Sequence, residues 1–151
     1  IAEKNNSSSL KVSKSNEERL KFWEGRKAAF PACGVLAPDY MCMDGSIPRG
    51  KLAEVLNEIS RLSKKYDLPV ANAFSTQGDG NLHPLIYVWC ELIQIHLRKC
   101  EEFGADILKY CVKVGGALTG EHGVGIEKRE LMCEAFNDKD YPTTTYNLKL
   151  L

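Results

Sequence analysis

The sequence lacks a net charge and a long apolar run, and both absences narrow the class of protein. Its 20 basic and 20 acidic residues balance to zero, so the composition favours neither nucleic acid nor an anionic membrane as a partner. The longest apolar stretch, 82–95, is interrupted by polar residues and a proline, and it is shorter than the ~20 apolar residues that span a bilayer. The sequence starts at Ile1 rather than at methionine, so we expect its natural start, and any targeting signal there, to lie upstream.

The sequence also lacks any Cys-x-x-Cys pair, which argues against a zinc knuckle or a dithiol redox motif. Cys100 and Cys111 fall on the apolar side of one helical pattern. We therefore interpret the cysteines as reduced, small core residues rather than as a disulfide framework. The exposure of Cys90 and Cys133 is left open. The six positions are 33, 42, 90, 100, 111 and 133.

What is present suits one globular domain with polar ends. The chain has 151 residues, of which 44% are apolar. Residues 1–15 are rich in Ser, Asn and Lys, and they predict a flexible tail or linker. We place the folded domain at 16–137 and treat 138–151, where the pattern weakens, as a divergent tail.

Apolar periodicity predicts alternating helices and strands. The cleanest helical pattern, expected to pack on a sheet, spans 52–66. Another helix should begin at an Asn16 cap and end at Pro31, because proline breaks the hydrogen-bond ladder. The remaining predictions are a helix from about 97 to 115, a short helix at 126–136, and strands at 40–43, 69–74 and 82–90, the last two forming a hairpin.

Two polar stretches interrupt this pattern, at 78–83 and 119–125. Side chains alternate along a strand, so Asn81 and His83 should project from one face. In the second stretch, glycines surround Glu121 and His122, a potential metal ligand beside a potential general base. Each stretch supplies an incomplete polar cluster, so we expect the two to lie together in space. The plainer alternatives are a turn-capping asparagine, a structural histidine and a glycine-rich connector.

Five passages, in this order, resemble the C-terminal domain of the FAD-linked 2-hydroxy-acid oxidases and dehydrogenases. The resemblance is greatest to the flavin subunits of glycolate oxidases, with D-lactate and D-2-hydroxyglutarate dehydrogenases more distant. The passages are WEGRKAAFPA at 23–32, PDY at 38–40, MDGSIPR at 43–49, GDGNLHP at 78–84 and GGALTGEHGVG at 115–125.

The resemblance implies an α+β fold of ferredoxin-like type, with helices packed on one face of an antiparallel sheet. It implies FAD as cofactor, held mainly by an N-terminal FAD-binding domain that this sequence lacks. That domain would belong to the full-length protein or to a partner chain, alongside other oxidase subunits. The expected substrate is a small 2-hydroxy acid, and the expected location is cytoplasmic, with peripheral attachment at the inner membrane face as an alternative.

The resemblance also implies roles for individual residues. His122 matches the catalytic base, and His83 and Glu121 match two ligands of a divalent metal. Asn81 matches a polar substrate contact, and Arg26 matches the arginine that grips the substrate carboxylate. Taken by itself, Arg26 also suits the end of a helix, where cations are favoured.

Departures from the family pattern weaken the metal prediction. Thr76 stands where the family has a third ligand, a histidine, and two protein ligands make a weak site. Segments 75–77, 87–95 and 141–151 also diverge. No phosphate-cradling loop is visible, so the isolated chain is predicted not to bind FAD tightly.

Three hypotheses follow. The first is the substrate domain, as a fragment, of an FAD-dependent enzyme that oxidises a hydroxy acid to the 2-oxo acid by hydride transfer to flavin. The second is a non-catalytic remnant or interaction module with a degraded site. The third, an unrelated metal-assisted hydrolase, lacks a visible nucleophile.

Overall fold

The computed structural model describes residues 1–75, 80–89 and 93–136, with 72–75 and 93–95 described through their backbone. The helices are α1 (Asn16–Cys33), α2 (Leu52–Tyr66), α3 (Ile93–Lys113) and α4 (Met132–Ala135). The strands are β1 (Asp39–Cys42), β2 (Gly45–Ser46), β3 (Val70–Ser75) and β4 (Asn81–Val88). Short 3₁₀ turns lie at Glu3–Asn5, Arg49–Lys51 and Arg129–Leu131.

The sheet is built around β4. Strand β3 pairs antiparallel with it on one side, as the predicted hairpin requires, with a bulge between Asn72 and Phe74. On the other side, β1 and β2 pair with β4 in one continuous register, from Asp39 opposite Val88 to Ser46 opposite Asn81. These two strands are therefore one edge strand, interrupted at 43–44.

Helices α2 and α3 pack on one face of this sheet and form the core with it. Leu82 and Ile86 of β4 join buried side chains from both helices, and Tyr66 of α2 stacks on Phe103 of α3 with ring centroids 5.3 Å apart. The predicted α+β class, an antiparallel sheet with helices on one face, is thereby confirmed. The buried helical side chains include Val55, Ile59, Leu62, Cys100, Phe103, Ile107 and Cys111.

The alternate residues of β4 point to the opposite face. Leu85 and Tyr87 are buried there, and Cys33 at the end of α1 lies beside Tyr87. Burial, with Cys33 adjacent, raises the pKa of Tyr87 to about 12. Asn81 and His83 occupy the other end of this row, so β4 carries apolar side chains at one end and polar ones at the other.

Several predicted element ends need correction. Ser15, not Asn16, caps α1, since its hydroxyl accepts from the Glu18 N–H at 3.1 Å. Pro31 lies inside α1 rather than at its end. Proline removes one N–H donor, and so close to the end of the helix this loss does not stop the last turn, where the Gly34 N–H bonds to the Pro31 carbonyl. Helix α3 starts four residues earlier than predicted, at Ile93.

The ends of two other predicted elements also move. Strand β4 ends at Val88, and the helix predicted at 126–136 is a turn followed by a 3₁₀ turn and the short α4. Thr76, Gly78, Cys90 and the tail 138–151 lie outside the described residues.

The five cysteines among the described residues are free, with Cys100 and Cys111 buried as predicted. Within the described chain, no helix is both long and apolar enough to cross a membrane.

Candidate functional site

The site is organised around Asp44, at the interruption between β1 and β2. Its carboxylate is fully buried and accepts hydrogen bonds from four consecutive residues, 119–122. The Thr119 hydroxyl donates at 2.8 Å, and the backbone N–H groups of Gly120, Glu121 and His122 donate at 3.0, 3.1 and 2.9 Å. The glycine-rich loop is therefore folded around an internal anion.

A buried lysine completes this arrangement. Lys128 Nζ donates to the Asp44 backbone carbonyl at 2.7 Å and lies 3.2 Å from a carboxylate oxygen of the same residue. Its side chain is 3% exposed and that of Asp44 is 0% exposed. An unpaired charge at this depth would cost several kcal/mol, so each residue depends on the other.

The hydrogen bonds set the ionisation of Asp44. Burial by itself would raise the pKa of this carboxyl, because it disfavours the charged form. The four donors from the loop favour the charged form more strongly, and together they hold the pKa of Asp44 well below its usual range. Asp44 is thus ionised throughout the physiological pH range.

This depressed pKa predicts a specific acid sensitivity. Below about pH 4 the unfolded chain binds a proton at Asp44, whose ordinary pKa is ~3.9, while the folded carboxylate stays ionised. The contribution of Asp44 to stability is therefore full above the unfolded pKa and is lost as pH falls through the folded pKa. Urea unfolding from pH 6 to pH 3 should show a steeper loss of stability in the wild type than in Asp44→Asn combined with Lys128→Met. Parallel profiles would contradict this assignment.

The loop brings His83, Glu121 and His122 together. Glu121 Oε1 lies 3.1 Å from His83 Nε2 and 3.9 Å from His122 Nε2. The two imidazole rings have centroids 5.3 Å apart. The end of β4 and the glycine-rich loop therefore meet, as predicted from their two incomplete polar clusters. The His83 side chain is 14% exposed, whereas those of Glu121 and His122 are 64% and 48% exposed.

Asn81 and Cys42 hold the His83 ring from its two nitrogens. Asn81 Nδ2 is 3.3 Å from His83 Nε2, which confirms that these side chains share a face of β4. Cys42 Sγ lies 4.0 Å from Nδ1. His83 Nε2 thus lies between an amide donor and a carboxylate acceptor. It can accept from Asn81 when it is unprotonated and donate to Glu121 when it is protonated.

The donor set fits a divalent metal ion. Ligand atoms of Asp44, His83 and His122 lie within 4.8 Å of one another, but Oδ2 of Asp44 is occupied by the loop donors and Lys128, and Oδ1 takes the shared Glu121 N–H. The 3.1 Å between His83 Nε2 and Glu121 Oε1 matches two ligands that share one ion at bond lengths of ~2.0–2.2 Å. One carboxylate and imidazole nitrogen suit zinc and similar transition metals. Thr76, where a third ligand was judged missing, is outside the described residues.

The same loop does not fit the phosphates of FAD. Three consecutive N–H groups are the usual means of holding a phosphate, but here all three bind Asp44. Glu121 adds a negative charge at the rim. The described residues therefore offer no phosphate cradle at this loop.

Arg26, predicted to bind the substrate carboxylate, lies at an exposed position of α1. Helix α1 contacts β3, and its Phe30 ring also lies edge-on to Tyr40 of β1, with centroids 5.9 Å apart. The role of Arg26 stays a prediction.

Sequence reasoning missed Asp44 and Lys128. An Asp-Gly step by itself predicts a turn, and the passage 43–49 carried the resemblance without a role for Asp44. Lys128 gave no signal, because a lone lysine beyond a glycine-rich loop is ordinarily solvated.

Comparison with known proteins agrees with this architecture. The family model for the C-terminal domain of FAD linked oxidases matches residues 1–146. The chain is 49% identical over 134 residues to the glycolate oxidase subunit GlcD of Escherichia coli (strain K12), covering 89% of this chain and 26% of that protein. It is 31% identical over 125 residues to GlcD of Bacillus subtilis (strain 168), covering 83% and 26%.

A third relative carries a different name. The mitochondrial D-lactate dehydrogenase [cytochrome] of Arabidopsis thaliana is 31% identical over 136 residues, covering 87% of this chain and 23% of that protein. The chain thus spans about a quarter of the length of these relatives. With a family model matched over nearly its whole length, the chain belongs to the C-terminal domain family of the FAD-linked oxidases.

Proposed function

We propose that this chain is the substrate domain of an FAD-dependent 2-hydroxy-acid oxidoreductase that acts on glycolate, D-lactate or a similar acid. The observation that supports this most is the convergence of His83, Glu121 and His122 on one exposed rim. A remnant with a degraded site would have no reason to keep two imidazoles beside one carboxylate, at 3.1 and 3.9 Å from its oxygen. The relatives' names supply the substrate class.

His122 is proposed as the general base. Its side chain is half-exposed, so a substrate hydroxyl can reach it. The imidazole takes the hydroxyl proton as the α-carbon gives up a hydride, which leaves the 2-oxo acid. Glu121, 3.9 Å from His122 Nε2, stabilises the imidazolium that forms. The flavin, when bound, would be the hydride acceptor. We propose that the FAD-binding part of a longer polypeptide, or a partner chain, holds this flavin.

His83 and Glu121 are proposed to hold a divalent ion, with Asn81 beside them as a polar substrate contact. Such an ion would supply Lewis-acid polarisation of the substrate hydroxyl and lower its pKa. Cys42 Sγ lies beside Nδ1, the ring nitrogen that stays free if Nε2 holds the ion, which is the usual place for a group that orients a metal-binding histidine. Asn81 contacts Nε2 itself, so its amide would turn from that nitrogen to the substrate when the ion binds.

The test is whether this domain supports oxidation beside an FAD-binding domain. The chain would replace the matched region of E. coli GlcD, and the chimaera would be co-expressed with the other subunits of that oxidase. Anaerobic mixing with glycolate or D-lactate should bleach the flavin absorbance. A chimaera that is loaded with FAD but not reduced by either acid would favour the non-catalytic remnant.

Arg26→Ala in the same chimaera should raise KM by about 10- to 100-fold with a smaller change in kcat. A guanidinium that holds the substrate carboxylate does so in both the ground and transition states, and a charged hydrogen bond is worth ~1.5–3 kcal/mol. Arg61→Ala is the matched control, because Arg61 is an exposed arginine of α2 that pairs with Glu58. Equal KM values for the Arg26 and Arg61 variants would exclude the proposed role.

A further inference from the structure

We propose that Asp44 is a positioning residue, an internal anion that sets where His122 and Glu121 stand relative to His83. The inference rests on the proposed function of those side chains, but the anchoring itself can be measured without it. Asp44 touches neither substrate nor metal in this role. It acts through the backbone of the loop.

The first support is the pattern of hydrogen bonds. The N–H groups of Glu121 and His122 both end on Asp44, at 3.1 and 2.9 Å. Fixing two successive amides fixes the direction in which each Cβ leaves the chain. One carboxylate therefore determines the placement of the proposed base and of the proposed ligand together.

The second support is that little else holds these side chains. Those of Glu121 and His122 are 64% and 48% exposed, and their residues lie in a loop outside any helix or strand. Packing normally locks a rotamer, but half-exposed side chains receive little of it. The backbone anchor must then supply most of the positional precision that proton transfer needs.

The third support is that two charged side chains are buried together here. Lys128 Nζ contacts the backbone carbonyl of Asp44 at 2.7 Å and its carboxylate at 3.2 Å. Buried ion pairs are weak contributors to stability, because desolvation offsets most of their attraction. A pair of apolar side chains would hold the fold as well, but it would offer no acceptor to three backbone amides.

The test separates positioning from stability. Asp44→Asn alone leaves Lys128 buried without its carboxylate, and its melting temperature should fall by roughly 10 °C. Adding Lys128→Met removes the stranded charge and should restore most of that loss. All four loop donors reach Asp44 Oδ2, and the Glu121 N–H also reaches Oδ1. The neutral oxygen of asparagine accepts these bonds more weakly than a carboxylate, and its NH2 group opposes the Glu121 N–H, so the loop amides stay poorly held in the paired variant. Its kcat in the FAD-containing chimaera should remain on the order of 10²-fold below wild type.

Deuterium uptake by the peptide spanning 119–125 gives the readout that is independent of catalysis. Uptake should be slow in the wild type and at least ~10-fold faster in the paired variant, since exchange follows local opening. The matched control is Asp106→Asn with Lys65→Met, which removes an ion pair of 2.8 Å between α2 and α3 and should leave both readouts unchanged.

The possible outcomes are distinct. If kcat recovers along with stability, or if uptake at 119–125 is unaltered in the paired variant, Asp44 is structural and the proposal is overturned. If the wild-type chimaera shows no turnover, the proposed function fails, and deuterium uptake still decides whether Asp44 anchors the loop.

Discussion

Replacing His122 by alanine is expected to lower kcat by ~10²–10⁴-fold, the usual contribution of a positioned general base. A hydride leaves the α-carbon readily only as the hydroxyl proton is removed, and His122 is the imidazole with room for a substrate beside it. KM should change little, because the base acts mainly in the transition state. Steady-state kinetics of the FAD-containing chimaera with glycolate and D-lactate provide the measurement.

The substitution should affect folding far less than turnover. The His122 side chain is half-exposed, and the bond from its backbone N–H to Asp44 does not require the imidazole. The melting temperature of His122→Ala should stay within a few degrees of wild type, which separates lost chemistry from lost structure. Added imidazole should restore part of the rate by occupying the vacated space. An unchanged turnover number would refute the assigned role and support a non-catalytic module.

The parts of the site that sequence could predict are local. Strand alternation placed Asn81 and His83 on one face, and the 3.3 Å between their side-chain nitrogens confirms it. The helical period of the apolar residues between 52 and 66 located α2, because an amphipathic stripe reflects burial against a single face. The meeting of His83 with Glu121 was inferred by combining two incomplete clusters, and the structure places them 3.1 Å apart.

The parts that could not be predicted depend on partners distant in the chain. Asp44 gains its donors from residues 75 to 78 positions away, and Lys128 lies 84 positions away. An aspartate before a glycine normally indicates a turn, and only these remote donors make its burial favourable. Pro31 was likewise expected to end its helix. Because it lies near the end of α1, the hydrogen bond that it removes does not stop the helix at that residue.

Gly120 has a requirement that its place in a glycine-rich loop does not specify. Glycines in loops often adopt positive φ angles, but the φ angle of Gly120 is not among the positive ones. What it provides is space. A Cβ there would collide with the Asn81 side-chain amide and approach Asp44 Oδ1 to 2.7 Å. Both obstacles belong to buried side chains, so neither can swing away.

Gly120→Ala is therefore expected to destabilise the domain by about 3 kcal/mol, at the upper end of the usual cost of overpacking. For a domain of this size the melting temperature should fall by roughly 5–10 °C. The added methyl group also pushes the loop away from Asn81, so Glu121 should move away from His83 and zinc affinity should drop in calorimetric titration. Gly50→Ala is the control, because a Cβ there meets nothing within 4 Å in the described part of the chain. If the two alanine variants have the same melting temperature, the close approach of Gly120 to Asn81 is not a constraint on this site.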